Sequence, residues 1–372
     1  DLLDRFDRAP VTRFTLYNGL HADGFAPQVL SEWKAFLDLY VADTVPHIPP
    51  LIRTLAPVLT NEIFGGGVPL PPDRWGGIAT ADEARAKFEA EPSVRILFES
   101  GAGAAPGLPV STFERTATQW PDPAVQANRW FLDATGALAA TAPADPAAVA
   151  IAPDPSVGPR TFWTGNSSDI WKAVPPFTWD PAAPGSEAAF ETAPLTESMT
   201  MLGTGSVDLW LRSTATDADL EVVLSEVRPD GKEVLVQTGR LRASYRALEP
   251  SSTELHPVQL GRERTIAPLR AGRWTSARVL IPAFGHVFRP GSRVRLAINT
   301  PGGDQATWSY ELLDLPAGTE HRLGVGGPAA SSVALPVVPG QVVPAALPPC
   351  PSLRGQPCRA TPPITNAVVP AP

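Results

Sequence analysis

Methionine and cysteine are nearly absent, with two of each in 372 residues. No apolar run approaches the length of a membrane span, so a soluble chain is expected. Positive charge is also short. The 30 Lys and Arg against 38 Asp and Glu leave a formal charge of -8, whereas a nucleic-acid surface needs a basic face. Several enzyme signatures are missing. No Gly-x-Ser-x-Gly nucleophile elbow occurs, no Gly-x-Gly-x-x-Gly opens a helix, and neither a Walker loop nor His-Glu-x-x-His is found. His47, His256, His286 and His321 are scattered without ligand spacing, so neither a metal nor a cofactor is expected. No internal repeat is visible.

Turn formers and rigid aromatics are plentiful. Gly and Pro number 30 and 44, and there are 10 Trp, a composition natural to a turn-rich β protein. The length allows two domains, and 43% hydrophobic content can build real cores. The chain starts at Asp1 with no signal peptide before it, which reads as a mature or excised chain.

Both cysteines lie in 349-PCPSLRGQPCR-359, with seven residues between them and a Gly-Gln-Pro turn. A disulfide between Cys350 and Cys358 is the natural reading, and it points to an oxidising compartment. A two-thiol metal site needs further ligands, and no histidine is near in sequence.

Helical periodicity is confined to the first 90 or so residues. Residues 2–8 read as a helix end and 11–17 as a strand. The segment 28–42 reads as a helix with Val29, Trp33, Phe36, Leu37 and Tyr40 at helical spacing. A proline-studded helix follows over 48–67. Its stripe Leu51, Ile52, Leu55, Val58, Leu59 and Ile63 reads as packing. A short helix at 80–91 opens on a capping box, Thr80 and Glu83. From 93–100 onward strands dominate, at 127–132, 207–214, 219–228, 233–244, 277–283 and 293–300. The hairpin 222–239, turning at Pro229-Asp230-Gly231, is the clearest local signal. Many strands with long connections imply a β-sandwich, most simply a jelly roll. The stretch 134–200 should hold long loops, and 341–372 should extend across the surface apart from its disulfide loop.

Few residues can carry chemistry. In 14-FTLYNGLHADG-24 a strand ends in Asn18-Gly19, which permits the positive φ of a sharp turn, and then comes His21. Strand, turn, histidine and amphipathic helix is how the histidine of a serine hydrolase is delivered, although a solvated turn histidine gives the same local pattern. Ser206 in 203-GTGSVD-208 reads as a β-turn serine, and 217-DADLE-221 as an exposed acidic turn rather than a calcium site. The arginines of 289-RPGSRVR-295 read as a solvated or ion-paired strand face, and Asp1, Asp4 and Asp7 as surface charges.

The runs 18-NGLHADG-24 and 33-WKAFLDLYVADTVP-46 resemble the histidine segment of the serine hydrolases that include cocaine esterase, X-prolyl dipeptidyl aminopeptidases and α-amino acid ester hydrolases. The segments 206–246, 286–298 and 350–359 resemble that family's jelly-roll domain and its exported bacterial members. The resemblance implies a mainly β chain: the C-terminal remnant of an α/β-hydrolase domain over 1–90, a jelly roll over 91–340 and a proline-rich tail over 341–372. It implies that His21 is the general base of a Ser-His-Asp triad. The serine, the acid and the oxyanion-hole donors have no counterpart here. The partner expected is therefore an upstream N-terminal hydrolase polypeptide, acting on a small ester or peptide (acyl or X-prolyl) substrate. The isolated chain is expected to be inactive. Secretion by bacterial-type export follows from the disulfide and the resemblance. No nucleic-acid or membrane partner is expected, and homo-oligomer formation is left open. The competing expectation is a non-catalytic jelly-roll binding module, with Trp163, Trp171 and Trp179 as a sugar platform.

Overall fold

The computed structural model describes residues 3–6, 8–157, 164–166, 168–302 and 311–371. Its contacts divide into two compact units. The first comprises Asp1–Pro123, Gly165–Pro176 and Val343–Gln356, and the second Ala124–Thr164, Phe177–Val342 and Pro357–Pro372. The first thus runs past residue 90 and recruits two later segments. Trp163, Asp1 and Asp7 lie outside the described residues, as does the side chain of Asp4.

In the first unit, β1 (Phe14–Tyr17) leads through a 3₁₀ turn (His21–Phe25) into α1 (Pro27–Tyr40), followed by α2 (Pro50–Phe64), α3 (Ala81–Ala90), β2 (Val94–Phe98) and β3 (Phe113–Ala117). β1 pairs parallel with β2, and β3 pairs antiparallel on the far side. β2 therefore belongs to the α/β unit, although its apolar run reads equally well as the first strand of a sandwich. At the start of α3 the Thr80 side chain accepts from Glu83 N while Glu83 reaches back to Thr80 N, the reciprocal cap expected.

α2 buries a different face from the one its apolar stripe suggests. In α2 the buried residues are Ala56, Thr60 and Phe64, one stripe at i, i+4, i+8. The stripe read as packing is instead exposed, with Leu51 67% and Val58 60% accessible. α1 buries Ala35 and Leu39, with Phe36 and Tyr40 of its stripe packed beside them, and leaves Trp33 68% exposed.

The second unit contains β4 (Gln126–Leu132), β5 (Leu138–Ala139), β6 (Ala147–Ile151), β7 (Ala188–Glu191), β8 (Met199–Ser213), β9 (Asp219–Val227), β10 (Lys232–Arg242), β11 (Thr275–Phe288), β12 (Arg293–Asn299), β13 (His321–Gly324), β14 (Ser332–Val338), β15 (Cys358–Ala360) and β16 (Ala367–Pro370). Among the described residues these form a five-stranded sheet, β15-β10-β9-β12-β7, and an eight-stranded one in which long β8 pairs with β11, β13 and β14. Leu220 and Leu224 of the first sheet share one core with Leu209 and Val279 of the second, as alternating inward residues of two stacked sheets do. The chain is mainly β, as its strand-rich sequence implies. The β9–β10 hairpin turns at Pro229-Asp230-Gly231, with Gly231 at φ +78 and Arg228 paired to Asp230.

Other local expectations change. Ser206 sits within β8 and is buried, its Oγ donating 2.6 Å to Glu254 O, so it is not a turn serine. The 217–221 segment is not an exposed acidic turn. Asp217 accepts from Ser244 N, Asp219 pairs with Arg242 at 2.7 Å, and Glu221 is buried beside Arg240. Arg295 is a buried cation among Glu191, Glu187 and Glu233. The tail does more than cover surface: β15 extends the sheet at β10, β16 pairs with β6, and Ser352, Leu353 and Arg354 are buried.

Candidate active site

β1 ends at Tyr17, and four residues later His21 opens the 3₁₀ turn, exposed to solvent. Among the described residues its ring makes no hydrogen bond. Ala22 and Asp23 directly after it are buried, and Ala22 packs with Ala26, Phe64, Val68 and Leu108. The histidine thus projects from a turn whose next two residues are embedded.

Asp23 fixes that turn. Its Oδ2 accepts from Leu20 N at 2.9 Å, satisfying the amide that precedes His21. The same carboxylate takes a bidentate guanidinium: Arg354 Nη2 donates to Oδ1 at 2.6 Å, and Nε lies 3.0 Å from both oxygens. The Arg354 side chain is 0% exposed. Its Nη1 donates to three carbonyls, Gly107 at 3.3 Å, Ala173 at 3.1 Å and Lys172. A charge so buried is tolerable only because these partners replace its water. The proximity of Asp23, after burial, also raises the Tyr17 hydroxyl above its ordinary pKa.

Gly19 has a role different from the one its Asn-Gly context suggests. Neither Asn18 nor Gly19 takes a positive φ. A Cβ at Gly19 would instead lie 2.5 Å from Asp23 Oδ2, so the glycine makes room for the carboxylate.

Arg354 comes from the loop closed by the Cys350–Cys358 disulfide, the pairing expected. Arg354 N donates to Ser100 O at 2.9 Å, and a Cβ at Gly101 would strike Ser352 O at 2.1 Å. Asp23 and Arg354 went unnoticed in the sequence. The available signal was an Arg in the middle of a short Cys-to-Cys loop, but its partner lies 331 residues away.

His21 is not joined by His47, His256, His286 or His321. His286 is buried against Glu226 at 3.0 Å, and His321 against Ser213 at 3.0 Å. No group of three or more metal-ligating side chains forms among the described residues. Trp171 packs on Phe25 and Phe64 in the first unit, while Trp179 in the second stacks beneath Arg359 at 3.8 Å.

Residues 86–344 match the family model of the X-Pro dipeptidyl-peptidase C-terminal non-catalytic domain, and the chain belongs to that family. His21 lies before the matched residues. Proteins provisionally named serine esterases in Mycobacterium bovis and Mycobacterium tuberculosis are each 27% identical over 214 residues, 54% of this chain and 33% of theirs. The chain therefore spans about a third of the length of these curated relatives. A CocE/NonD family hydrolase from Staphylococcus aureus shares the fold with TM-score 0.58 at 14% identity, covering 89% of this chain and 50% of that one. An aminopeptidase from a marine-sediment Thaumarchaeota archaeon (TM-score 0.56, 15% identity, 91% and 51% covered) and an α-amino acid ester hydrolase (0.51, 17%, 90% and 52%) do likewise.

Proposed function

We propose that this chain is the C-terminal portion of a secreted serine hydrolase, and that His21 is its general base while serine and acid reside in an upstream polypeptide. The observation that carries this reading is an exposed imidazole on a turn anchored by a buried ion pair. A merely solvated histidine needs no such anchoring. The exposed apolar stripe of α2 and the outer edge of β1, unpaired among the described residues, support an upstream partner, since faces of this kind are normally covered. The disulfide supports export. The second unit is read as the family's jelly roll.

The chemistry is acyl transfer from an ester or an X-prolyl amide. The serine hydroxyl forms a bond to the substrate carbonyl carbon as His21 takes its proton. The tetrahedral adduct then expels the alcohol or amine, to which His21 returns that proton. Water repeats the sequence on the acyl-enzyme, regenerating the serine and releasing the acid. Asp23 is not the orienting acid of this relay, because Arg354 and Leu20 N occupy its oxygens. That acid belongs upstream, and without it the isolated chain is inactive. The test is turnover of chromogenic esters and X-prolyl amides by the full-length protein. His21→Ala is expected to lower kcat by about 10⁴-fold or more, and an unchanged kcat overturns the reading.

One observation favours a binding module instead. A cavity of about 300 Å³ in the second unit is lined by Trp179, Asp180, Glu187, Glu221, Asn299 and Arg359, the mixture of aromatic and polar groups that holds a polar ligand. Glycan binding by this chain, with no hydrolysis by the full-length protein, would select that alternative.

A further inference from the structure

The disulfide-closed loop holds a position that surface decoration does not explain. Small loops closed by a cystine commonly sit in water, whereas here Ser352, Leu353 and Arg354 are buried. The loop is docked at several points on the first unit's strand-end segments. Arg354 N bonds Ser100 O, and Ser352 O sits where Gly101 would otherwise carry a side chain. A Cβ at Gly355, which has φ +71, would lie 3.3 Å from a methyl of Leu20, the residue before His21. From this docked loop the Arg354 guanidinium reaches Asp23 through both of its oxygens, and Asp23 in turn holds Leu20 N.

Taking the general-base reading of His21 as its premise, we infer that Arg354 and Asp23 are positioning residues for His21, and that the Cys350–Cys358 loop is the clamp that delivers Arg354 to the turn. Four stretches of chain meet at this guanidinium: the histidine turn, Gly107, the carbonyls of Lys172 and Ala173, and the cystine loop itself. A buried ion pair is a poor source of stability, since removing two charges from water offsets most of their attraction. Its geometry is more useful than its energy. A bidentate guanidinium permits one orientation of the carboxylate, and the carboxylate permits one conformation of the turn. The direction of the His21 Cα–Cβ bond follows, and general-base catalysis is sensitive to displacements of about 1 Å. Neither Arg354 nor Asp23 touches substrate. Both act through the backbone of the turn.

The experiment uses the full-length protein, with kcat, KM and the pH profile measured alongside thermal stability. Arg354→Lys keeps the charge but loses the fork. Cys350→Ser with Cys358→Ser leaves Arg354 intact and removes only the loop closure. For variants folded at the assay temperature, kcat is expected to fall about 10-fold or more with KM within about twofold, and the acid limb of the pH profile to move. Arg354→Lys should retain more activity than Arg354→Ala, the rescue that positioning predicts. Both variants melting lower while keeping wild-type kcat and pH profile would overturn the inference and leave a purely structural pair. The premise fails separately, and recognisably, if His21→Ala itself keeps wild-type activity. Should Arg354→Lys not fold, the double serine variant decides between the same two results.

Discussion

Arg354 and Asp23 form a buried bidentate ion pair across 331 residues of sequence, with Nη2 to Oδ1 at 2.6 Å. Removing one member strands the other in a buried site. Arg354→Ala is therefore expected to destabilise the first unit by about 3–5 kcal/mol in urea unfolding. Asp23→Asn should cost less, since Asn retains an acceptor for Leu20 N. Equal effects of the two substitutions would argue against a bidentate pair.

Gly101 tests the docking of the cystine loop without touching either charge. Its φ of +107 is one that side chains rarely adopt, and a Cβ there meets a carbonyl oxygen at 2.1 Å. Gly101→Ala is expected to lower stability by about 1–3 kcal/mol and to raise amide exchange over 350–356. Wild-type protection of that loop in the variant would show that the approach is looser than described.

His321 gives a pH dependence of stated sign. It is 2% exposed, its Nδ1 is 3.0 Å from Ser213 Oγ, and burial pushes its pKa down to about 4. The unfolded chain, near the ordinary value of 6.5, binds the proton first. The stability contributed by the neutral ring is thus present above pH 6.5 and is lost as pH falls towards 4. His321→Asn should grow more stable relative to wild type over that fall, read from urea midpoints. A difference that does not change with pH would contradict a neutral buried ring.

Glu221 acts in the opposite sense. Burial raises its carboxyl to about 7, against an ordinary 4.5, despite the opposing pull of Arg240. The folded state therefore holds this proton more tightly than the unfolded state. The associated stability is complete below 4.5 and is lost as pH rises through 7. Glu221→Gln should flatten the decline in unfolding free energy between pH 5 and pH 8. A slope equal to that of wild type would show the group to be ionised throughout.

The features legible in the sequence are those with local causes. The β9–β10 hairpin follows from alternation and Pro229-Asp230-Gly231, and the α3 cap follows from Thr80 and Glu83. Helical period reveals α1 and α2 but misplaces the packed face of α2, because Leu51 and Val58 mark an apolar stripe without saying what covers it. His21 was visible as a strand-end histidine. Its support was not, because Asp23 and Arg354 meet only in three dimensions and no spacing rule links them. Gly19 shows the same limit: the turn residue is evident, but the reason for glycine is the room it leaves for the Asp23 carboxylate, held there by Arg354 from far along the chain.

The most direct measurement is the rate at which a fluorophosphonate labels a serine in the full-length protein, with and without His21→Ala. The account predicts a labelled serine upstream of this chain, and labelling slowed about 10³-fold or more in the folded variant. Labelling at the wild-type rate without the imidazole, or no labelled serine in the unmodified protein, would contradict it.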